Sequence, residues 1–217
     1  MSQLPPPGTS AQEFFEVHVP RAFSAADLPD DAKQLDLTLG VKLDGEGGGE
    51  WRLHLKNGEL TVDSGSTEDA AFTVLQSVAD WRGALWEERG GAFGKQSRSL
   101  FDPGSGGAGG PGSMSPAALT QLQMLRGVIK MVVSGGAGGD WAVAFKLGPG
   151  PAPAEPTTTV SVTAEDASAL ERGELDPMQA FMSGRIQIAG DMTLLMQMQA
   201  IQMSAQAAAA AAVPKQA

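Results

Sequence analysis

The residues of this chain best suited to binding chemistry lie between positions 174 and 203, and the chemistry that they suggest is apolar. Asp176 can cap a short helix that opens with proline. Ile186 and Ile188 then alternate with polar residues, as in a strand with one buried face. Gly190 precedes a second cap, so the stretch predicts a helix, a strand and a longer helix.

The longer helix has two apolar faces. At about 100° per residue, one face carries Met192, Leu195, Met196 and Met203, and the opposite face carries Leu194, Met198 and Ile201. A helix on a single core needs only one apolar face, so the second face must meet another domain, another chain or an apolar ligand. The flexible thioether of methionine suits a ligand, and ordinary core packing is the alternative.

Residues for catalysis or metal binding are sparse. His18 and His54 are isolated, Ser183 has no histidine placed to serve it, and the chain contains no cysteine. The paired acids lie at helix starts or in loops, where capping explains them. The glycine-rich GEGGGE and GGAGGD segments precede strands, as hairpin turns do, whereas phosphate-binding loops precede helices. The sequence therefore predicts no enzyme activity, no metal and no cofactor.

Residues 176–199, DPMQAFMSGRIQIAGDMTLLMQMQ, resemble the C-terminal signature of the sterol carrier protein 2 family. The shared features are Ala-Phe, Gly-Arg, the I-x-I-x-Gly strand, Asp-Met and the methionine-rich helix. The resemblance implies a twisted five-stranded sheet covered by helices, with an apolar tunnel partly closed by the last helix. It also implies lipid binding without chemical change of the lipid.

The resemblance assigns a set of ligand-binding residues. Two groups would face each other across the tunnel: Met178, Phe181 and Met182 on the first helix, and Met192, Leu195, Met196 and Met203 on the second. Ile186 and Ile188 would line its floor. The expected ligand is a fatty acyl chain, an acyl thioester or a sterol-like molecule. The alternative is a protein-interaction or structural module, in which the apolar helix packs on a protein partner or a second copy.

Composition limits the partners. The formal net charge of -10 on 217 residues opposes binding to nucleic acids or to anionic membrane surfaces through a broad field. No apolar run approaches the roughly 18 residues of a membrane span, so no stable membrane insertion is expected. The first residues show no secretory signal, and the C-terminal Lys-Gln-Ala does not resemble a peroxisomal signal, so we expect a cytoplasmic protein.

The chain as a whole predicts an α+β fold: a mainly antiparallel, sterol-carrier-like sheet covered by helices, in two tandem unequal repeats. Alternating apolar residues begin at Leu35, and Trp51 and Trp141, each after a glycine turn, are offset by 90 residues. The second repeat has GPGPAPAEP where the first has a third strand, and the first has no counterpart of IQIAG.

These patterns divide the chain into five parts: a flexible leader (1–11), a degenerate sterol-carrier-like repeat (12–102), a glycine-rich linker (103–113), a lipid-binding repeat (114–206) and an alanine-rich tail (207–217). Two questions stay open. The helix at 116–126 could belong to either repeat. The fragment 113–206 should fold better than the fragment 10–102, unless the chain is one inseparable domain.

Overall fold

The computed structural model describes residues 4–26, 33–101 and 116–212, with the backbone alone at 116–119, 202 and 204–212. The predicted linker 103–113 and the tail beyond 212 therefore lie outside the described residues. The strands are β1 (Asp36–Asp44), β2 (Gly49–Lys56), β3 (Glu59–Ser64), β4 (Phe72–Ser77), β5 (Gly127–Gly136), β6 (Gly139–Leu147), β7 (Thr158–Thr163) and β8 (Ile186–Gly190).

Helices precede, separate and follow these strands. They are α1 (Ala11–Glu13), a π-helical turn (Phe14–His18), α2 (Val19–Ala25), α3 (Val78–Trp86), α4 (Gly91–Ser99), α5 (Pro116–Met124), α6 (Ala164–Glu171), α7 (Pro177–Met182) and α8 (Met192–Ala212). The α+β prediction is confirmed.

The described strands form a single sheet in the order β3-β2-β1-β4-β6-β5-β7-β8. In the first half of the chain, up to residue 101, β1 pairs antiparallel with β2 and parallel with β4. In the second half, from residue 116, β5 pairs antiparallel with β6 and parallel with β7. The two halves thus share one pairing pattern, and the tandem repeat stays a prediction.

The halves meet where β4 pairs antiparallel with β6, with Phe72 opposite Leu147 and Val74 opposite Phe145. Each half lacks one strand that the other half has. The first half has helix α4 where the second half has β8, and the segment at 148–157 of the second half forms no strand equivalent to β3. Strand β6 occupies the edge left open in the first half, and β4 occupies the edge left open in the second.

One face of the sheet carries the core. The alternating residues Leu37, Val41, Leu53, Val74, Trp141 and Val143 point to this face and are buried under the helices. The other face is more polar, and there His54 forms an ion pair with Asp36 (Nε2–Oδ1 3.2 Å). Trp51 and Trp141 are both buried in this core.

Helices of the first half hold strands of the second. The indole Nε1 of Trp141 donates a hydrogen bond to the backbone oxygen of Asp80 in α3 (2.8 Å), and Arg89 Nη2 donates to the backbone oxygen of Asp140 (2.7 Å). Gly90 has a φ of 85°, and a Cβ there would lie 2.7 Å from the Trp141 ring. The two halves therefore share one hydrophobic core.

The N-terminal helical segment contains a proline, Pro20, within its helical residues. Helical structure continues through Pro20 to Ala25, because a π-helical turn precedes the proline, and the backbone N–H of Val19 bonds to the oxygen of Phe14. The wider turn accommodates a residue that lacks an N–H and crowds the preceding turn. Phe15 from this turn stacks on Trp51 at a ring-centroid distance of 4.9 Å.

Two further segments have defined places. Within the predicted leader, the backbone oxygen of Pro5 accepts a hydrogen bond from Trp86 Nε1 (2.9 Å), and that of Thr9 accepts one from Arg82 (3.2 Å). Helix α5 packs against α8, so the helix at 116–126 lies with the second half.

We predict that neither half folds alone. Fragments 10–102 and 113–206 would each expose a strand that is central in the full sheet, with its ladder groups unpaired and its apolar face uncovered. Each fragment should lack a cooperative thermal transition by circular dichroism, and mixing or co-expressing the two should restore one. A fragment that melts cooperatively by itself, close to the midpoint of the full chain, would contradict the shared sheet.

Candidate functional site

The stretch singled out in the sequence, residues 174–203, folds as predicted into a helix, an edge strand and a helix. The Asp176 carboxylate accepts a hydrogen bond from the backbone N–H of Gln179 (2.9 Å) and caps α7. After the turn, Arg185 forms an ion pair with buried Asp166 of α6 (Nη2–Oδ1 2.5 Å). This pair fixes the junction between α7 and β8 to the rest of the second half.

The far end of β8 is fixed by glycine and by a capping aspartate. Gly190 has a φ of 96°, and a Cβ there would lie 2.2 Å from the backbone oxygen of Thr157, so only glycine fits. The next residue, Asp191, accepts a hydrogen bond from the backbone N–H of Thr193 (2.8 Å). Hydrogen bonds from Thr193 hold the pKa of the Asp191 carboxyl below its usual value. Asp191 is therefore ionised at neutral pH, at the start of α8.

The two apolar faces of α8 have different surroundings. Leu194 is 4% exposed and belongs to a small core cluster with Ile129 and Leu147. Leu195 and Met198 are half-buried against this cluster. The face with Leu194, Met198 and Ile201 is therefore the one that packs on the sheet.

The predicted ligand-binding residues fall into two sets. Ile186, Ile188 and Leu195 are half-buried, whereas Met178, Phe181, Met182, Met192, Met196 and Met203 are exposed. Met182 is 81% exposed and Met196 65%. Helix α7 packs against β8, and α8 packs against α5, β5 and β7. Most of the methionines thus lie on the outer surface of these helices, away from the sheet.

A second set of apolar side chains lies on the helix-covered face, between the two core clusters. The large cluster lies under α2, α3, α4 and α6, and the small cluster lies under α5 and α8. Phe72 contacts both clusters and stacks on Phe145 at 5.5 Å between ring centroids. Strand register places Met131 beside Val160 and Val160 beside Ile188, and Phe145 lies opposite Ile129, two residues along β5 from Met131. We call Phe72, Phe145, Met131, Val160 and Ile188 the apolar seam.

The seam is incompletely covered. Phe72, Phe145, Met131 and Ile188 are only half-buried, although each points to the covered face of the sheet. Ile188 packs against neither core cluster in the part of the chain that the structure describes. A row of half-exposed apolar side chains on an otherwise packed face can accept an apolar chain.

Sequence reasoning missed Phe72, Met131, Phe145 and Val160 as site residues, although their strand alternation placed them on a buried face. Nothing in the sequence showed that the coverage of that face would be interrupted there.

Two features are absent from the residues that the structure describes. No group of three or more histidine, aspartate or glutamate side chains is arranged to hold a metal ion within those residues. Of the helices described, none has the length and apolar character needed to cross a membrane.

We predict that the two faces of α8 respond differently to truncation. Leu194→Ala removes buried side-chain atoms beside Ile129 and Leu147 and should lower the free energy of unfolding by about 2–5 kcal/mol. Met196→Ala, on the exposed face of the same helix, should change it by less than about 0.5 kcal/mol. Urea unfolding of both variants measures the difference. Equal losses would mean that the packed face is misassigned.

Comparison with known proteins bears on the second half of the chain. Residues 112–203 match the model of the SCP-2 sterol transfer family. The comparison with curated proteins returned no match.

Three solved structures illustrate the similarity. The sterol carrier protein domain 2 of Helicoverpa armigera is 26% identical, covering 40% of this chain and 74% of its own, with a TM-score of 0.31. Sterol carrier protein 2 from Yarrowia lipolytica is 14% identical, covering 42% and 77%, with a TM-score of 0.31. Sterol carrier protein 2 like 2 from Aedes aegypti is 21% identical, covering 51% and 86%, with a TM-score of 0.28. The similarity to the SCP-2 sterol transfer family therefore covers residues 112–203, less than half of this chain.

Proposed function

We propose that this protein binds and carries an apolar, lipid-like molecule in the seam on the covered face of its sheet. The observation that carries the proposal is the row of half-buried apolar side chains that runs from Phe72 and Phe145 through Met131 to Ile188. The match of residues 112–203 to the model of the SCP-2 sterol transfer family supports it. A fatty acyl chain, an acyl thioester or a sterol-like molecule is the expected ligand.

Burial of apolar surface supplies the binding energy. Each methylene group that leaves water contributes about 0.8 kcal/mol, and apolar surface contributes about 25 cal/mol per Å². Met131 and Met198 border the same region and can change rotamer to fit ligands of different shape. Selectivity between chain lengths should therefore be loose, because one methylene changes affinity only modestly.

In this proposal, the protein binds and releases its ligand without changing it chemically. The five seam residues carry no nucleophile, acid or base. The polar side chains of β5 to β8 alternate to the opposite face, except that of Thr158, whose hydroxyl donates to the backbone oxygen of Asp191. Binding and release, without bond making, is the activity that such a surface supports.

We expect lipid to copurify with the protein. Organic extraction of the purified full chain, followed by mass spectrometry, should release an acyl or sterol-like compound. A fluorescent fatty acid should bind to the delipidated protein and be displaced by unlabelled fatty acid. If no lipid copurifies and no lipid probe binds, an interaction module becomes the better interpretation of the same fold.

A matched pair of variants locates the binding site. Met131 and Val132 are neighbours on β5 whose side chains point to opposite faces. Met131→Trp fills the seam with apolar volume and should weaken fatty-acid binding more than tenfold, whereas Val132→Trp should leave it unchanged. Thermal melts of both variants separate lost binding from lost folding. Equal binding by a folded Met131→Trp variant would exclude the seam.

A further inference from the structure

The two outer strands of the sheet differ in charge. Strand β8 pairs with β7 on one side and has no neighbour on the other among the described strands, and it has no charged residue from Ile186 to Gly190. Strand β3 closes the opposite edge and carries Glu59 and Asp63. Charged residues protect an edge from pairing with another chain, and β8 lacks that protection.

The backbone of β8 is oriented for pairing. The N–H of Asp191 donates to the oxygen of Thr157 across the β7–β8 ladder (2.9 Å). Residues of an antiparallel strand alternate between the two sides, so Gln187 and Ala189 point their backbone groups at β7. Those of Ile186 and Ile188 are then directed to the free edge.

We propose that β8 is an interface with a second copy of this chain, formed by antiparallel pairing of the two β8 strands about a two-fold axis at Ile188. Ile188 then lies opposite its own copy, Ile186 opposite Gly190 and Gln187 opposite Ala189. One step further out, Arg185 lies opposite Asp191 of the second copy. The segment Arg185–Asp191 is self-complementary in this register.

Charge complementarity favours a second copy of this chain as the partner, and it favours pairing at β8 over pairing at β3. Arg185 is about half exposed, and its guanidinium has donors left over from its ion pair with Asp166. Asp191 is exposed and ionised, so each interface gains two Arg–Asp pairs. The same pairing of β3 about Thr61 would place Glu59 opposite Asp63, where like charges repel.

The exposed methionines fit the same arrangement. Helix α7 precedes β8 and α8 follows it, so the two helices flank opposite ends of the strand. The two-fold axis would place α7 of one copy, which carries Met178 and Met182, beside α8 of the other copy, which carries Met192 and Met196. These side chains, exposed in the single chain, would then be covered by apolar surface.

The test uses the polar face of β8, so that it leaves the core and the apolar seam unchanged. Gln187 and Ala189 are exposed and lie opposite each other across the axis. Q187E/A189E places acids opposite acids, and Q187K/A189K places bases opposite bases. Sedimentation equilibrium of the full wild-type chain should give twice the chain mass of 22.4 kDa, and each variant alone should be monomeric.

Mixing the two variants is the decisive measurement. Each glutamate then lies opposite a lysine, so an equimolar mixture should form a dimer with one chain of each kind, which native mass spectrometry resolves. T61K/D63K, on the exposed face of β3, is the matched control and should stay dimeric. A monomeric wild type, or dimers that persist in both β8 variants with unchanged thermal melts, would overturn the proposal.

Discussion

The antiparallel pairing of β4 with β6 is the interaction on which the rest of the structure depends. It gives each half of the chain the strand that the half lacks, and it brings α3 of the first half close enough to accept the Trp141 hydrogen bond. Phe72 lies in β4 and Phe145 in β6, so the stacked pair in the apolar seam spans this joint. The candidate ligand site therefore belongs to both halves, although only the second half carries the family match.

The elements of this fold could be predicted from the sequence because their signals are local. Alternation at Leu35–Leu43 indicates a half-buried strand, and Asn57-Gly58 indicates a tight hairpin; both residues of that turn have positive φ. The missing strands could also be predicted, since GPGPAPAEP cannot pair within a sheet. The strand that occupies each open edge could not be predicted. The contact between β4 and β6 joins residues some seventy positions apart, and it depends on the whole sheet.

The candidate site shows a different limit of sequence reasoning. The sequence pattern does not show which of the two apolar faces of α8 packs on the sheet. Ile129 and Leu147 on the sheet determine that it is the face with Leu194. Those residues select the face with Leu194 for packing and leave Met192, Met196 and Met203 outside. Two apolar faces on one helix predicted two partners. The pattern did not say which face would pack on the protein's own core.

The strand that each half lacks also constrains what can be added to the sheet. A strand added after α4 would compete with β6 for the edge of β4, and inserting it would move the halves apart by a strand spacing of about 4.8 Å. That displacement would pull the Trp141 indole from the Asp80 carbonyl and from its position against Gly90. A strand cannot be added at this joint without separating the halves, so new strands can join this sheet only at its outer strands, β3 and β8.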